Sequence, residues 1–329
     1  MLADPLLFPL QMPPTYERLE AEPTFDARRH LALEAPSKTW SLSDLGYSAA
    51  RIQESASDVA VAGPFRLLSP EGVEAARTVA ASLRQVRRTS DRTANYVAGG
   101  VYRSRFLRDL CQCKEITVFL SEIAGCELLA HSMPSQQIYI NYAPEDLSRA
   151  VDTWHVDSIG FDYVLLINDP ATFRGGRFQF FCGTKEEAAE ILKADDLTGP
   201  IQRELPAERV ITPDFPGAGY AIFQQGNLVM HRATRLLERA ERTTFVPGLV
   251  ARDTRFPDPT LSGVTGWGEP GIVAEFARHK AWLVRSRLEQ LIEGIDLATQ
   301  PTQLRDALRT SVADVLEAIA VLDRMPPEG

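Results

Sequence analysis

From about residue 127 to 253 the dominant period is two, and each run of alternating or β-branched residues soon meets a GG, DP, PG or GN pair. Glycine supplies backbone angles that other residues avoid and proline removes a ladder donor, so these pairs punctuate strands. Within Gln136–Tyr142 (QQIYINY) the period is two. That places Gln137, Tyr139 and Asn141 on one face and Ile138, Ile140 and Tyr142 on the other. Phe161–Ile167, Arg177–Phe181, Tyr220–Phe223, Leu228–His231 and Arg242–Val250 read as further strands. Short strands joined by tight turns predict an antiparallel β-sandwich or jelly roll. A short helix over Lys185–Lys193 interrupts them.

The flanks carry a different period. Residues 1–60 are proline-rich and weakly periodic, which predicts an irregular N-terminal arm. Residues 61–126 read as helical. Ser69 and Pro70 form a helix start, with hydroxyl cap and proline at the first helical position, and Val73, Ala76, Val79 and Leu83 follow at helical spacing. A second helical zone spans Phe106–Ile123 and stops at Gly125. Over residues 270–326, Ala281, Val284, Leu288, Leu291 and Ile295 form one apolar stripe. Leu304, Leu308, Val312, Val315, Ile319 and Leu322 form a second, opened by Thr302 after Pro301. Such stripes ordinarily face a core, and a homodimer through these C-terminal helices is the other use for them. The expected fold class is α+β with a mainly β core flanked by N- and C-terminal helices. We expect one catalytic domain over residues 1–329, its core at 127–253.

Composition excludes several classes of function. The 44 acidic residues outnumber 35 basic ones for a formal charge of -9, which disfavours nucleic acid as a partner. No apolar run approaches the roughly 18 residues a membrane span needs. The opening MLADPLLFPLQMPP has no basic segment and early prolines, unlike a secretory leader. Cys111, Cys113, Cys126 and Cys182 lack the spacing of a disulfide framework or zinc cluster. A cytoplasmic location follows as the expectation.

Chemistry concentrates at Trp154-His155-Val156-Asp157. Residues two apart on a strand point to the same side, so an imidazole and a carboxylate can converge on one ion there. A third ligand from elsewhere would leave three open positions on an octahedral ion, the arrangement suited to oxygen activation by iron(II). Downstream lie FDYVLLINDPATFRGGRFQFF and GYAIFQQGNLVMHRATRLLERAERTTFVPGLV, strand-like segments broken by glycine turns.

Over about residues 136–253 the sequence resembles the 2-oxoglutarate and iron(II)-dependent dioxygenase superfamily, phytanoyl-CoA hydroxylase-like or related small-molecule hydroxylases of the double-stranded β-helix (jelly-roll) fold. The matching pieces are His155-x-Asp157, Leu166-Ile167-Asn168, Gly175-Gly176, Gly219 with Phe223, His231, and Arg242 in Arg-x-Thr. The resemblance implies that His155, Asp157 and His231 are metal ligands and catalytic residues. Arg242, 11 positions after His231, would pair with the distal carboxylate of 2-oxoglutarate, a task suited to a planar guanidinium. Thr244 and Asn141 would be further contacts, and Arg235 and Arg239 are rivals of Arg242. The implied cofactors are Fe(II), 2-oxoglutarate as co-substrate and O2, with succinate and CO2 released as a substrate C–H bond is oxidised. Halogenating relatives replace the ligand carboxylate with a small residue, whereas Asp157 is retained here. Hydroxylation is therefore the expected outcome, with desaturation or cyclisation using the same ligands.

For the substrate, Gln137, Tyr139, Arg177 and Gln179 are lumen candidates by alternation. Tyr102, Arg103 and Arg105 lie where related enzymes often place substrate contacts. An arginine there would suit an amino acid or another small carboxylate; solvated surface arginine is the plain reading of each. His30, His131 and His279 read as ordinary core or surface residues, Trp154 as packing, and Phe178, Phe180 and Phe181 as core. Two other functions stay open: a non-haem iron oxidase independent of 2-oxoglutarate, and a catalytically silent jelly-roll binding protein.

Overall fold

A computed structural model describes residue 13 and residues 15–325. The opening residues read above as no leader, 13 apart, lie outside the described residues, as does residue 326. In chain order the strands are β1 Thr39–Ser41, β2 Val59–Arg66, β3 Asn95–Val97, β4 Leu128–Ala130, β5 Tyr139–Tyr142, β6 Ala150–His155 and β7 Phe161–Leu166. They continue with β8 Phe178–Phe181, β9 Val210–Ile211, β10 Tyr220–Gln224, β11 His231–Arg235, β12 Thr243–Val246 and β13 Gly248–Ala251. The helices are α1 Ala27–His30, α2 Ala49–Gln53, α3 Pro70–Leu83, α4 Gly100–Arg103, α5 Arg105–Cys111, α6 Lys114–Ala124, α7 Lys185–Leu192, α8 Ile272–Gly294 and α9 Pro301–Leu322.

Among the described residues the strands form two antiparallel sheets. The larger runs β1-β2-β10-β7-β12-β5-β3, with β13 bridging β7 and β4; the smaller runs β6-β11-β8-β9. Their facing sides meet in a cluster of Val61, Val164, Phe178, Phe180, Ile222 and Val229, all buried. Helices α3, α5 and α6 cover the outer side of the large sheet through Val79, Leu83, Phe106, Leu110, Ile116 and Leu120, which pack with Phe65, Ile140 and Phe223. Burial of this order, at about 25 cal/mol per Å² of apolar surface, is the main force holding helices on sheet.

Several elements differ from the sequence reading. The arm expected over 1–60 contains α1, β1 and α2, and Trp40 of β1 packs edge-on against Phe180 of the small sheet (5.1 Å). Three-residue strands carry too few alternations to be legible. The zone read as helical holds β2 and β3 as well. Its second helix is two, α5 capped by Ser104 and α6, with Gly125 ending α6 in the left-handed region as expected. Pro134 seats a 3₁₀ turn over Pro134–Gln136, so β5 starts only at Tyr139. Leu228–Val229 belong to a turn closed onto the Gln225 carbonyl, and His231 opens its strand instead of ending it. Pro247 lacks an N–H and divides the last run into β12 and β13.

The C-terminal stripes are displaced. In α8 the buried face is Ile272, Glu275, Phe276, His279, Lys280, Trp282, Leu283, Val284 and Ser286, while Ala281 and Ile295 are exposed. In α9 Leu308, Ile319 and Leu322 are exposed, and the buried side is Ser311, Asp314, Ala318 and Val321. Ion pairing overrides hydrophobic periodicity here. The Lys280 ammonium lies 2.7 Å from Asp258, 2.9 Å from Glu317 and 3.3 Å from Asp314, and His279 bonds Asp258 and Ser132. Among the described residues no helix is long and apolar enough to cross a membrane.

Candidate metal centre

Strands β6 and β11 are neighbours, and their register sets His155 directly opposite His231. The two imidazole centroids are 4.2 Å apart. Asp157 lies just past the end of β6, where its N–H donates to the Gly226 carbonyl (2.8 Å). Its Oδ1 is 3.5 Å from His155 Nε2 and its Oδ2 is 3.4 Å from His231 Nε2. One ligand atom from each of the three falls within 4.8 Å of the others, the one such cluster of His, Cys, Asp and Glu among the described residues.

The backbone fixes which nitrogen each histidine offers. His155 Nδ1 is 2.7 Å from the Thr153 carbonyl and His231 Nδ1 is 2.9 Å from the Val229 carbonyl. A carbonyl can only accept, so both protons sit on Nδ1 and both Nε2 lone pairs face Asp157. This is how metal-binding histidines are oriented by their surroundings. Burial, then the neighbouring His155, pushes His231 down to about 4, so it is neutral near pH 7. Burial works against the Asp157 charge, yet His231, His155 and Arg92 hold its carboxyl below the usual range. Two imidazoles that present Nε2 and one carboxylate suit a divalent first-row metal such as iron(II), so the residues present fit the ion that the sequence implied.

These three side chains share a cavity of about 70 Å³ with Asn141, Thr244 and Arg242. Arg242 is only 2% exposed. Its Nε donates to the Gly176 carbonyl (3.0 Å) and its Nη1 to Thr244 Oγ1 (3.2 Å). Gly175 and Gly176 have φ of +80° and +61°, and a Cβ on Gly176 would sit 3.3 Å from the Arg242 side chain. The glycine pair lets backbone close over the guanidinium. Among the described residues no carboxylate lies within 4.0 Å of it, and burial pushes Arg242 down to about 10. Thr244 is paired in register with Asn141 across β12 and β5, and the Asn141 Oδ1 has no partner among the described residues.

Other expected residues are elsewhere. Tyr139 lines the cavity. Gln137 instead lies in the turn before β5 and donates to the His131 carbonyl. The inward side of β8 is Phe178 and Phe180, in register with Ala233 and His231, so Arg177 and Gln179 face out. Arg177 pairs with Asp214 (2.9 Å), and Gln179 bonds Thr212 and Arg232. Arg105, Arg235 and Arg239 are exposed. Arg103 lies over the Tyr16 ring, and Tyr102 bonds Glu275. Trp154 packs outside the small sheet under Arg232.

Sequence reasoning missed Arg92, Asp152, Asp162 and Gln224. Strict alternation would turn Asp152 away from His155, three residues on. A bulge in β6 sets Thr153 and Trp154 opposite Arg232 alone, so Asp152 and His155 both face the cavity. Arg92 Nε reaches Asp152 Oδ1 (3.4 Å). Asp162 on β7 is buried, and burial followed by the Asp157 charge raises its carboxyl well above the usual range. Asp162 stands only five residues after Asp157, but alternation along β7 does not by itself say that its carboxyl faces that of Asp157.

Comparison with solved structures finds the non-haem α-ketoglutarate-dependent epimerase SnoN of nogalamycin biosynthesis at 16% identity and TM-score 0.42, covering 64% of this chain and 83% of that chain. The carbocyclase SnoK of the same pathway matches at 16% identity and TM-score 0.41, over 65% of this chain and 87% of that chain. EvdO2 from Micromonospora carbonacea var. aurantiaca matches at 12% identity and TM-score 0.38, over 71% and 95%. No curated protein matches in sequence. The sequence profile of the family Halogenase D matches residues 66–254, which hold β3 to β13 and every residue of the candidate centre. The chain belongs to the Halogenase D family.

Proposed function

We propose that this chain is an oxygenase that couples 2-oxoglutarate decarboxylation to oxidation of a C–H bond in a small metabolite, within one catalytic domain whose two sheets form a jelly roll. The observation that carries this reading is a buried guanidinium with no carboxylate partner, Arg242, in one small cavity with His155, Asp157 and His231. A buried unpaired charge costs several kcal/mol unless a counter-ion arrives, so the site is built to receive an anion. His155, Asp157 and His231 would hold iron(II), which when bound supplies oxygen activation and the decarboxylation that yields succinate and CO2. Arg242 and Thr244 bind the distal carboxylate of the co-substrate, and Asn141, opposite Thr244 in the β5–β12 ladder, contributes a side-chain amide N–H. Phe178, Val164 and Ile159 line the same space and keep water out.

Arg92 and Asp152 present opposite charges to the cavity, which supports an amino acid or another small carboxylate as substrate. The retained Asp157 fills the position that a halide would take, so hydroxylation is the outcome despite the name of the family. Products formed in chloride or bromide buffer therefore carry added oxygen and no halogen. The test is succinate release from 2-oxoglutarate with iron(II) and ascorbate, slow alone and accelerated by members of a panel of amino acids and small carboxylates. Iron-dependent turnover without succinate would overturn the reading.

A further inference from the structure

The pair Gln224-Gln225 at the end of β10 belongs to no motif, and its two amides do different work. Gln225 is spent on structure: its Oε1 accepts from Ser55 Oγ (2.7 Å), and its Nε2 donates to the Ser57 and Val59 carbonyls (3.0 and 2.6 Å). Gln224 is fully buried and points the other way. Its Nε2 lies 2.9 Å from Asp162 Oδ1, 3.3 Å from Asp157 Oδ2 and 3.1 Å from His231 Nε2. Toward Asp157 Oδ2 and the His231 Nε2 lone pair only the nitrogen end of an amide is favourable, because both groups can only accept. That fixes the orientation, and Oε1 has no partner among the described residues.

We propose, on the metal-centre reading above, that Gln224 is the positioning residue for Asp157. Its N–H engages Oδ2 and leaves Oδ1, the oxygen nearest His155 Nε2, as the metal ligand. A carboxylate held by one oxygen takes one coordination position; binding through both would take a second and crowd the sites needed by the co-substrate and oxygen. Asp162 anchors the amide from the far side, and Gly226 keeps the space open. A Cβ at 226 would lie 2.3 Å from Asp157 Oδ2 and 2.4 Å from Asp162 Oδ2. Groups that orient a metal ligand typically change metal affinity by about 10–100-fold when removed.

The test uses the full chain and two probes, manganese(II) binding followed by electron paramagnetic resonance and the visible spectrum of the cobalt(II)-loaded protein. Gln224→Met, which keeps the volume and removes the donor, is expected to weaken manganese(II) by about 10–100-fold and to change the cobalt(II) spectrum. Asp162→Leu should do the same, Asp162→Asn should stay near wild type because it retains the acceptor, and the double variant Gln224→Met/Asp162→Leu should be no weaker than either single one. A purely structural Gln224 would lower the melting temperature and leave the cobalt(II) spectrum unchanged, overturning the proposal. Should Gln224→Met fail to fold, the contrast between Asp162→Leu and Asp162→Asn decides alone: equal affinities overturn it. His155→Ala separates the two levels. If it binds manganese(II) like wild type, the metal-centre reading fails; if it loses the metal while Gln224→Met keeps it, only the role of Gln224 fails.

Discussion

His155 and His231 are cross-strand partners in the β6–β11 ladder, so one backbone register sets both imidazoles at 4.2 Å between centroids. A ligand pair built on paired strands is rigid before any ion arrives. His155→Ala and Asp157→Ala should therefore each lower iron(II) affinity by more than about 100-fold, beyond the range for residues that only orient ligands. Circular dichroism and melting curves should show the fold intact. Equilibrium dialysis giving one iron per chain in either variant would contradict the assignment.

Arg242 is expected to govern the co-substrate alone. A charge-assisted hydrogen bond is worth about 1.5–3 kcal/mol, so Arg242→Gln should raise KM for 2-oxoglutarate by about 10- to 150-fold. Arg242→Lys should recover part of the loss, since lysine keeps the charge but not the two-pronged geometry. Arg235→Ala and Arg239→Ala, both exposed, should leave KM unchanged. Initial rates of succinate formation across 2-oxoglutarate concentrations measure all four.

Gly226→Ala probes the crowding around the carboxylates. The conformation of this glycine does not require glycine, since its φ is outside the left-handed region, so the effect is steric. A methyl group there must displace Asp157 or Asp162. Metal affinity should fall by about 10-fold or more while melting changes by only the few kcal/mol or less typical of overpacking. An unchanged manganese(II) titration would show that the carboxylates move away freely.

Protons give a further test. His231 sits at about 4 in the folded protein against an ordinary value of 6.5. Between those values the unfolded chain carries a proton at residue 231 that the folded chain lacks, so metal-free protein loses stability as pH falls from 6.5 to about 4. The loss is at most about 3 kcal/mol. Asp157 acts in a lower window: its depressed carboxyl stabilises the fold above the unfolded value and ceases to do so at more acid pH. Urea unfolding of the metal-free protein at several pH values should show a steeper slope in wild type than in His231→Gln, and equal slopes would refute the burial argument.

The residues legible in the sequence are those whose chemistry lies in regular strands or conspicuous turns. His155, His231, Thr244 and the Gly175-Gly176 pair fall into this group, and Asp157, just past the end of β6, is legible through its spacing from His155. Asp152 was invisible because a bulge, a register event with no residue signature, reverses its facing. Arg92 reaches the cavity from before β3, a distance in sequence that no spacing rule connects to β6. Alternation along β8 was correctly periodic but assigned to the wrong side: Phe178 packs on His231 (5.8 Å) and the polar residues face out. In α8 apolar spacing points to one stripe, whereas the buried face includes Lys280 and His279 held by Asp258.

The central claim is that two cross-strand imidazoles, one carboxylate and a buried arginine make a single site for a metal and 2-oxoglutarate. Anomalous diffraction from crystals grown without oxygen in iron(II) and 2-oxoglutarate addresses it directly. We predict one iron peak within bonding distance of His155 Nε2, Asp157 and His231 Nε2, with the distal carboxylate of 2-oxoglutarate on the Arg242 guanidinium. Iron bound elsewhere, or 2-oxoglutarate density that leaves Arg242 without a partner, would contradict the account.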